Sequence, residues 1–531
     1  MFGFGFTHLK SQKNKLIIYI IITYSIGLFS LSLPIISGEI INVISDTKDV
    51  ERLFDLVFIF GALFISKVFV QYITYKLYIK IQTVGAFTIN SEVISHIQNI
   101  PLDEVDCIDT SYVNQRVNSD SNAVVSFVIN FCTDLGINII TMLFCLVALL
   151  NINLRIAVII IFVLFFYLMI YIVLKKKVYS MSYMFKESQA DFFSVLTEQL
   201  ENIQFVQAHA MGNLFKQKLF TRFHEFLNKV LKSQTFIYLY NSLDDIINGV
   251  MQVIVYLYCG LSVMQENMTI GEFFIIISFF GYVMSSIKYF SDLGREYQEN
   301  LMSYNRLKEY LNKDTEDNGK QLLKKIENIE CKNLTFARGN KTIIDNFSYK
   351  FSTGNIYGIT GGNGTGKTTL INLILGLYKK SNKDMVFYEG IAIKDIDMQE
   401  VRKNLIAVVE QFPYTFPGTI KENILLNEYY KEDKINDFLK KTKMLKLSLS
   451  KKIYKDGSGL SGGEKQKIAL LRAIAKEADV LILDEPTSAL DIFGAEIFIH
   501  YLEEIKHNKI IIIVSHDSNL NNLYDFIIPL N

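Results

Sequence analysis

The chain has 531 residues, half of them hydrophobic, and its 54 Lys and Arg are balanced by 54 Asp and Glu. That length exceeds what one compact core holds and implies at least two domains, while zero net charge gives no general attraction for nucleic acid. Five cysteines without paired spacing or neighbouring His argue against a disulfide framework or a zinc site.

The apolar residues crowd into the first part, and charged residues reach ordinary soluble density from about Lys308 onward. A spanning helix needs about 20 mostly apolar residues to cross a hydrocarbon core about 30 Å thick. Such stretches occur at residues 16–40, 53–79, 128–150, 156–174, 240–264 and 271–293. The first is followed by more of its kind rather than by a small-residue cleavage site, so no cleavable signal peptide is expected. One such run reads equally well as a buried helix of a soluble protein; six of this length do not.

Six spans place both ends on one side. Lys10, Lys13 and Lys15 precede the first, and Lys175, Lys176 and Lys177 follow the fourth, whereas the outer connections at 151–153 and 265–268 carry no Lys or Arg. The positive-inside rule then predicts a multi-pass protein of the cytoplasmic membrane with both termini in the cytoplasm. The inner connections, residues 80–123 and 175–239, are long, amphipathic and charged, and read as helices continuing into the cytoplasm. Residues 1–311 are therefore expected to form an all-α transmembrane domain. The polar stretch 312–325, with Gly319, reads as a linker.

From residue 326 short β-rich runs alternate with helical stretches, the pattern of an α/β domain over 326–531. A strand-like run at 355–360 leads into Gly361-Gly362-Asn363-Gly364-Thr365-Gly366-Lys367-Thr368-Thr369 and then an apolar helix. This is GxxxxGK(S/T) in its required setting of strand, loop and helix. The glycines let backbone N–H groups turn inward around phosphate oxygens, and the helix N-terminus adds its positive dipole end. Lys367 is expected to reach the β- and γ-phosphates and the Thr368 hydroxyl to ligate Mg²⁺. A second apolar strand, 478–483, ends in Asp484 and Glu485, suited to Mg²⁺ coordination and to polarising the attacking water respectively. Alone, an Asp-Glu pair after a strand reads as a solvated loop; after a phosphate loop it does not. A third strand, 510–515, ends in His516. A lone His is more often structural, but this strand end falls at the carboxyl edge of the sheet, where ligands bind, so His516 is a γ-phosphate sensor candidate.

With these residues in place the chain resembles the ATP-binding cassette exporters. Leu460-Ser461-Gly462-Gly463-Glu464-Lys465-Gln466 looks like their LSGGQ signature, with Glu464 where Gln is commonest. Gln411 resembles the glutamine of the loop that faces the membrane domain. Ser488-Ala489-Leu490-Asp491 is similar to the D-loop, and His516 to the switch histidine. More weakly, Leu33-Pro34-Ile35, Ile100-Pro101-Leu102 with Arg116 and Asp120, Glu198 to Ile203, and Thr269-Ile270-Gly271-Glu272 resemble the membrane half of the same exporters.

The resemblance implies a multi-domain membrane protein, a six-helix bundle followed by an α/β P-loop ATPase domain with a helical subdomain. It implies ATP and Mg²⁺ as cofactors, with Gln411 joining Thr368 and Asp484 at the metal and Glu485, His516 and Gln411 as catalytic residues. ATP would lie between the phosphate loop of one chain and Ser461, Gly462 and Gly463 of another, with Asp491 at the dimer contact. One chain holds one of each part, so the partner is a second copy or a related half-transporter. ATP binding and hydrolysis would then drive alternating access and export, with the inner turns near 103–113 and 208–215 as coupling contacts.

Three places depart from the family's pattern. Arg338 stands where the adenine-stacking aromatic is expected; its guanidinium plane can also stack on a base, while Phe336 reads as core. Residues 455–459 lack the exporter glutamate, and the tail after His516 looks too short for a final strand. Arg338 also invites a different class, an ATP-binding regulatory or degenerate partner in a heterodimer. Intact Lys367, Asp484, Glu485, Ser461 and His516 argue against that reading. For cargo, the segment 109–120 resembles stand-alone bacteriocin and lantibiotic exporters, which favours a ribosomally made peptide over a lipid or hydrophobic drug. Lys67, Asp134, Asp244 and Asp245 are ionisable residues within the spans, and the last two are candidates for a cavity that favours a cationic or polar cargo.

Overall fold

The computed structural model describes residues 1–531 apart from 106–109, 317, 339–340, 363, 379–383, 427–448, 455–458, 488–491, 517–519 and 531. Asn363, Asp491 and the rest of the D-loop stretch therefore lie outside the described residues, as do the side chains of Arg116 and Asp244. The chain forms two compact units, one of Met1–Ser95 with Thr110–Asn312, the other of His96–Asp109 with Lys313–Asn531.

The first unit is helical. A short helix α1 (Phe2–Leu9) precedes α2 (Lys13–Asn42) and α3 (Val50–Gln98). After a single-turn α4 (Leu102–Val105), which belongs to the second unit, come α5 (Thr110–Ile152), α6 (Leu154–Glu201), α7 (Ile203–Ala208), α8 (Gly212–Met264) and α9 (Ile270–Leu311). At 1.5 Å per residue a helix of the length of α3 runs about 70 Å, more than twice the hydrocarbon thickness. The charged inner connections are thus largely helix, as their amphipathic pattern predicts. Among the described residues five helices are long and apolar enough to span a membrane. The fourth apolar stretch, 156–174, lies within α6.

Phe58 of α3 is 78% exposed, and Phe54, Ile65 and Phe69 face outward with it. In lipid such a surface costs nothing, and the backbone is satisfied within each helix. The interior of the unit gathers along α9, where Ile276, Phe279, Phe280, Val283 and Ile287 are buried with Cys145, Leu149, Val255 and Cys259. Because lipid is as apolar as these side chains, small residues decide where helices approach. Gly38 of α2 and Gly271 of α9 meet so closely that a Cβ on Gly271 would fall 2.1 Å from the Gly38 carbonyl oxygen. Asn42 Oδ1 accepts from the Gly271 N–H at 2.8 Å at the same crossing. Thr269 and Glu272 close a capping box over the start of α9. Nearer the other end, buried Asp120 of α5 accepts a bidentate pair of hydrogen bonds from Arg306 of α9.

Among the described residues the second unit carries two larger sheets and a short antiparallel pair, β7 (Gly418–Thr419) with β8 (Lys452–Ile453). An antiparallel sheet in the order β2-β1-β4-β5 is built from β1 (Asn328–Arg338), β2 (Lys341–Ser352), β4 (Val386–Tyr388) and β5 (Ile391–Ala392). A parallel sheet in the order β11-β3-β10-β9-β6 is built from β3 (Ile356–Thr360), β6 (Ile406–Val409), β9 (Val480–Asp484), β10 (Ile510–Val514) and β11 (Phe526–Pro529). β3, β9 and β10 are apolar and buried along nearly their whole length, as strands covered on both faces must be. The tail supplies β11, which pairs in parallel with β3, so the expectation that the tail is too short for a final strand is corrected. Pro529 is accommodated there because β11 is an edge strand.

The polar stretch after α9 is not a free tether. The Gly319 and Gln321 N–H groups donate to the Ile396 and Asp395 carbonyls, and the Asp397 N–H donates back to Gln321. A Cβ on Gly319 would fall 1.9 Å from the Asp395 carbonyl carbon, so the approach requires glycine.

Candidate nucleotide site

The phosphate loop, Gln411, Asp484, Glu485 and His516 sit at the carboxyl edge of the parallel sheet, where ligands bind in open α/β folds. β3 feeds the phosphate loop, β9 ends in Asp484 and Glu485, β10 is followed by Ser515 and His516, and β6 leads to Gln411. The helix α10 (Lys367–Ile374) starts directly from the loop with Gly366 as its N-cap. Gly366 adopts φ +93°, and a Cβ there would lie 2.7 Å from Ile343, so glycine is required twice over.

Lys367, Thr368, Thr369, Gln411, Asp484, Glu485 and His516 line one cleft of about 330 Å³ together with Gly364 and Gly366. Lys367 Nζ donates to the carbonyls of Gly361 and Gly362 at 2.8 and 2.9 Å, and Thr365 Oγ1 donates to the Gly362 carbonyl at 3.0 Å. Thr368 Oγ1 lies 3.4 Å from Asp484 Oδ2. This hydroxyl and carboxylate are hard oxygen donors side by side, and Mg²⁺ needs few protein ligands where phosphate and water complete its shell. The donor set fits Mg²⁺-ATP. Burial raises the Asp484 carboxyl above the usual range and the neighbouring Glu485 charge adds to it, with Thr368 and Lys367 pulling the other way.

Glu485 is held by contacts on every side. Its backbone is left-handed at φ +48°, a conformation that non-glycine residues keep only where surrounding contacts enforce it. Its N–H donates to the Val514 carbonyl at 2.8 Å. Its carboxylate accepts from the Ser515 hydroxyl at 3.3 Å and the His516 N–H at 3.1 Å, and its carbonyl accepts from Gln466 Nε2 at 2.6 Å. Ser515 and Gln466 are supporting residues that the motif reading leaves without a role. Their signal is position: Gln466 falls one turn beyond Ser461 on the same helix, and Ser515 directly precedes His516.

Ser461 caps the helix Gly462–Ala475 in a reciprocal capping box. Its Oγ accepts from the Glu464 N–H at 3.2 Å, and Glu464 Oε2 accepts from the Ser461 N–H at 2.7 Å. Because the serine oxygen accepts there, its own proton is directed elsewhere. Lys451 Nζ lies 2.9 Å from Glu464 Oε1. The hydrogen bond from the Ser461 N–H, then that from Lys451, hold the Glu464 carboxyl below its ordinary range. Among the described residues, Ser461, Gly462 and Gly463 do not line the phosphate-loop cleft of their own chain. Arg338 ends β1 opposite Lys341 and is exposed, while Phe336 is buried against Tyr378, ring centroids 4.6 Å apart.

Fold and site together define a membrane-spanning P-loop ATPase, its helical half fused to a nucleotide-binding unit that carries its own signature helix. The chain belongs to the ABC transporter family: the ABC transporter transmembrane region matches residues 16–287, and the ABC transporter model matches residues 344–488. It is a half-transporter of the exporter type with ATPase activity. It is 25% identical to the β-(1→2)glucan export ATP-binding/permease protein of Bartonella quintana over 96% of this chain and 87% of the relative. It is 30% identical to ATP-dependent lipid A-core flippase 2 of Colwellia psychrerythraea over 52% of this chain and 49% of the relative. Its fold matches the structure of a bacterial Atm1-family ABC exporter with ATP bound, with a TM-score of 0.83, 15% identity, and 98% and 93% of the two chains covered.

Proposed function

We propose that two copies of this chain form a cytoplasmic-membrane exporter in which each ATP is held by the phosphate loop of one copy and Ser461, Gly462 and Gly463 of the other. The observation that carries this is the division of the site. One cleft gathers Lys367, Thr368, Gln411, Asp484, Glu485 and His516, while the signature segment opens a separate helix. A second copy supplies what each cleft lacks, and two-fold symmetry supplies it twice.

Glu485 takes the proton of the attacking water, and its carboxylate already points along the Ser515 and His516 hydrogen bonds. His516 and Lys367 bind the γ-phosphate from two sides, and Gln411, Thr368 and Asp484 stand where the metal belongs. Bound Mg²⁺ supplies neutralisation of the phosphate charge that develops during transfer. Asn363, Thr369 and Arg338 complete the nucleotide contacts in this reading, and Asp491 the dimer contact. The second inner turn leaves Ile203, Phe205 and Leu214 exposed, an apolar set suited to a coupling contact with the partner.

For cargo we favour a ribosomally made peptide. Asp134 and Glu296 line one cleft of about 270 Å³ with Asn130, Tyr289 and Asn300, a setting that suits cationic side chains, whereas Asp245 is exposed. A lipid or other amphiphile is the second reading, because a relative's name states lipid A-core flipping.

The test is complementation. Chains carrying Lys367→Ala or Ser461→Arg are each expected to be inactive alone, and a mixed dimer to regain one intact composite site and with it ATPase activity. Activity in either variant alone, or none in the mixture of two folded variants, refutes the shared-site reading. Uptake of a labelled cationic peptide against a labelled lipid into inside-out vesicles separates the two cargoes.

A further inference from the structure

We propose that the Glu316–Arg402 ion pair is a positioning element that transmits movement between the nucleotide cleft and helix α3. The proposal rests on the ATP-driven reading above and assigns the transmission to two residues outside the nucleotide motifs.

The pair is built for direction. Arg402, on α11 (Met398–Asn404), donates from Nη1 to Glu316 Oε1 at 2.9 Å and from Nη2 to Glu316 Oε2 at 2.6 Å. Only 21% of the Arg402 side chain and 10% of the Glu316 side chain are exposed. An exposed pair contributes little and holds no geometry, but a shielded bidentate fork fixes both distance and orientation.

Each partner is tied to a different part of the machinery. Arg402 Nη1 also donates to the Leu375 carbonyl at 2.9 Å, at the end of α10, the helix that begins with Lys367. Two residues further, the Leu377 carbonyl accepts from the N–H of Leu102, the first residue of α4, at 2.8 Å. The Glu316 N–H donates to the Asn99 carbonyl, directly after the last residue of α3. Asn99 Oδ1 accepts in turn from Gln399 Nε2 of α11 at 3.0 Å. His96, inside the last turn of α3, meets the Lys313 carbonyl at 2.9 Å.

Arg402 also lines a cleft of about 580 Å³ shared with Thr368, Gln411 and Asp484. The Glu316–Arg402 fork thus has on one side the end of α3 and on the other the far end of the phosphate-loop helix and the wall of the Mg²⁺-ligand cleft. A shift of α10 on nucleotide binding moves Arg402 through the Leu375 carbonyl, and the fork passes that movement to Asn99. Rigid elements with paired, directional contacts are what carry coupling across a distance.

The experiment is hydrogen exchange on the full chain in lipid nanodiscs, with and without Mg²⁺-ATP, for wild type, Glu316→Gln and the conservative Glu316→Asp. In wild type, ATP should protect residues 361–369 and change exchange in residues 80–98. In Glu316→Gln, protection of the loop should persist within about two-fold while the response of residues 80–98 falls by about five-fold or more, the range of a typical coupling. Glu316→Asp, which keeps the charge and leaves Arg402 on the Leu375 carbonyl, should give a response between the two. An undiminished response in Glu316→Gln, loss of loop protection along with it, or a response in Glu316→Asp no larger than in Glu316→Gln would each overturn the proposal. Absence of loop protection in the wild type would remove the ATP-driven reading itself, and this proposal with it.

Discussion

Lys367 and His516 meet across the phosphate loop, with Nζ 3.0 Å from Nε2. One comes from the first turn of α10 and the other from the end of β10, so in the proposed function a γ-phosphate would meet groups from two elements of the sheet edge. The Lys367 ammonium also holds the Gly361 and Gly362 carbonyls, which fixes the loop's curvature before any phosphate arrives.

This geometry separates the two residues by effect. Lys367→Ala removes the charge proposed to bind phosphate, so ATP binding itself should be lost. His516→Ala removes a group used in the transfer step, and kcat should fall about 100-fold while ATP affinity stays within a few-fold. Fluorescent nucleotide binding alongside steady-state hydrolysis checks both.

The nucleotide half of this arrangement was legible because each motif combines an unusual residue type with a forced backbone context. Gly366, Lys367 and Thr368 in that spacing, between a strand and a helix, point to phosphate binding, and Asp484 gains meaning only from the loop upstream. What stayed out of reach depends on contacts between residues far apart in sequence. Glu316 pairs with a residue 86 positions away, and in sequence it stands only as one charge in a polar linker. The Gly38–Gly271 approach is invisible for the same reason, since glycine within an apolar span is unremarkable until its neighbour is known. The short tail misled because length alone does not show that Phe526, Ile527 and Ile528 can pair with β3.

Asp484 gives the site a defined acid limb. Burial, reinforced by Glu485, raises its carboxyl above the usual range, so its charge is lost at a higher pH than an ordinary aspartate's. As pH falls through that value the proton displaces Mg²⁺, and Mg²⁺-dependent ATP binding should weaken. By the same linkage the site destabilises the fold as pH rises through it, until a cation neutralises the charge. Glu485→Gln removes the adjacent like charge, so the acid limb of Mg²⁺-ATP binding should move to lower pH. A limb that stays in place contradicts the assignment.

At the signature helix, Glu464 carries a carboxylate in the capping box with Ser461, and Lys451 offsets its charge; in the shared-site reading that charge lies near the partner's ATP. Lys451→Ala should raise the KM for ATP several-fold, a surface-charge effect that salt near 1 M screens away. Adding Glu464→Gln should return KM to the wild-type value, because it removes the charge that Lys451 balances. KM measured at two ionic strengths for the single and double variants decides it.

In the membrane half, Gly271→Ala should destabilise the helix pair by about 1–3 kcal/mol, since its Cβ would press on Gly38 and Asn42. Gly281, on the same helix, has nothing within 4 Å of a built Cβ, and Gly281→Ala should be close to neutral. Thermal unfolding of both variants in one detergent provides the comparison.

The most direct test of the whole account is Mg²⁺-dependent ATP hydrolysis by the purified chain in lipid, wild type against Glu485→Gln. The account predicts hydrolysis by the wild type without any added protein, and a loss of at least about 100-fold in Glu485→Gln with ATP still bound. Hydrolysis that survives in the variant would contradict Glu485 as the base, and no hydrolysis in either would contradict a self-sufficient pair of identical chains.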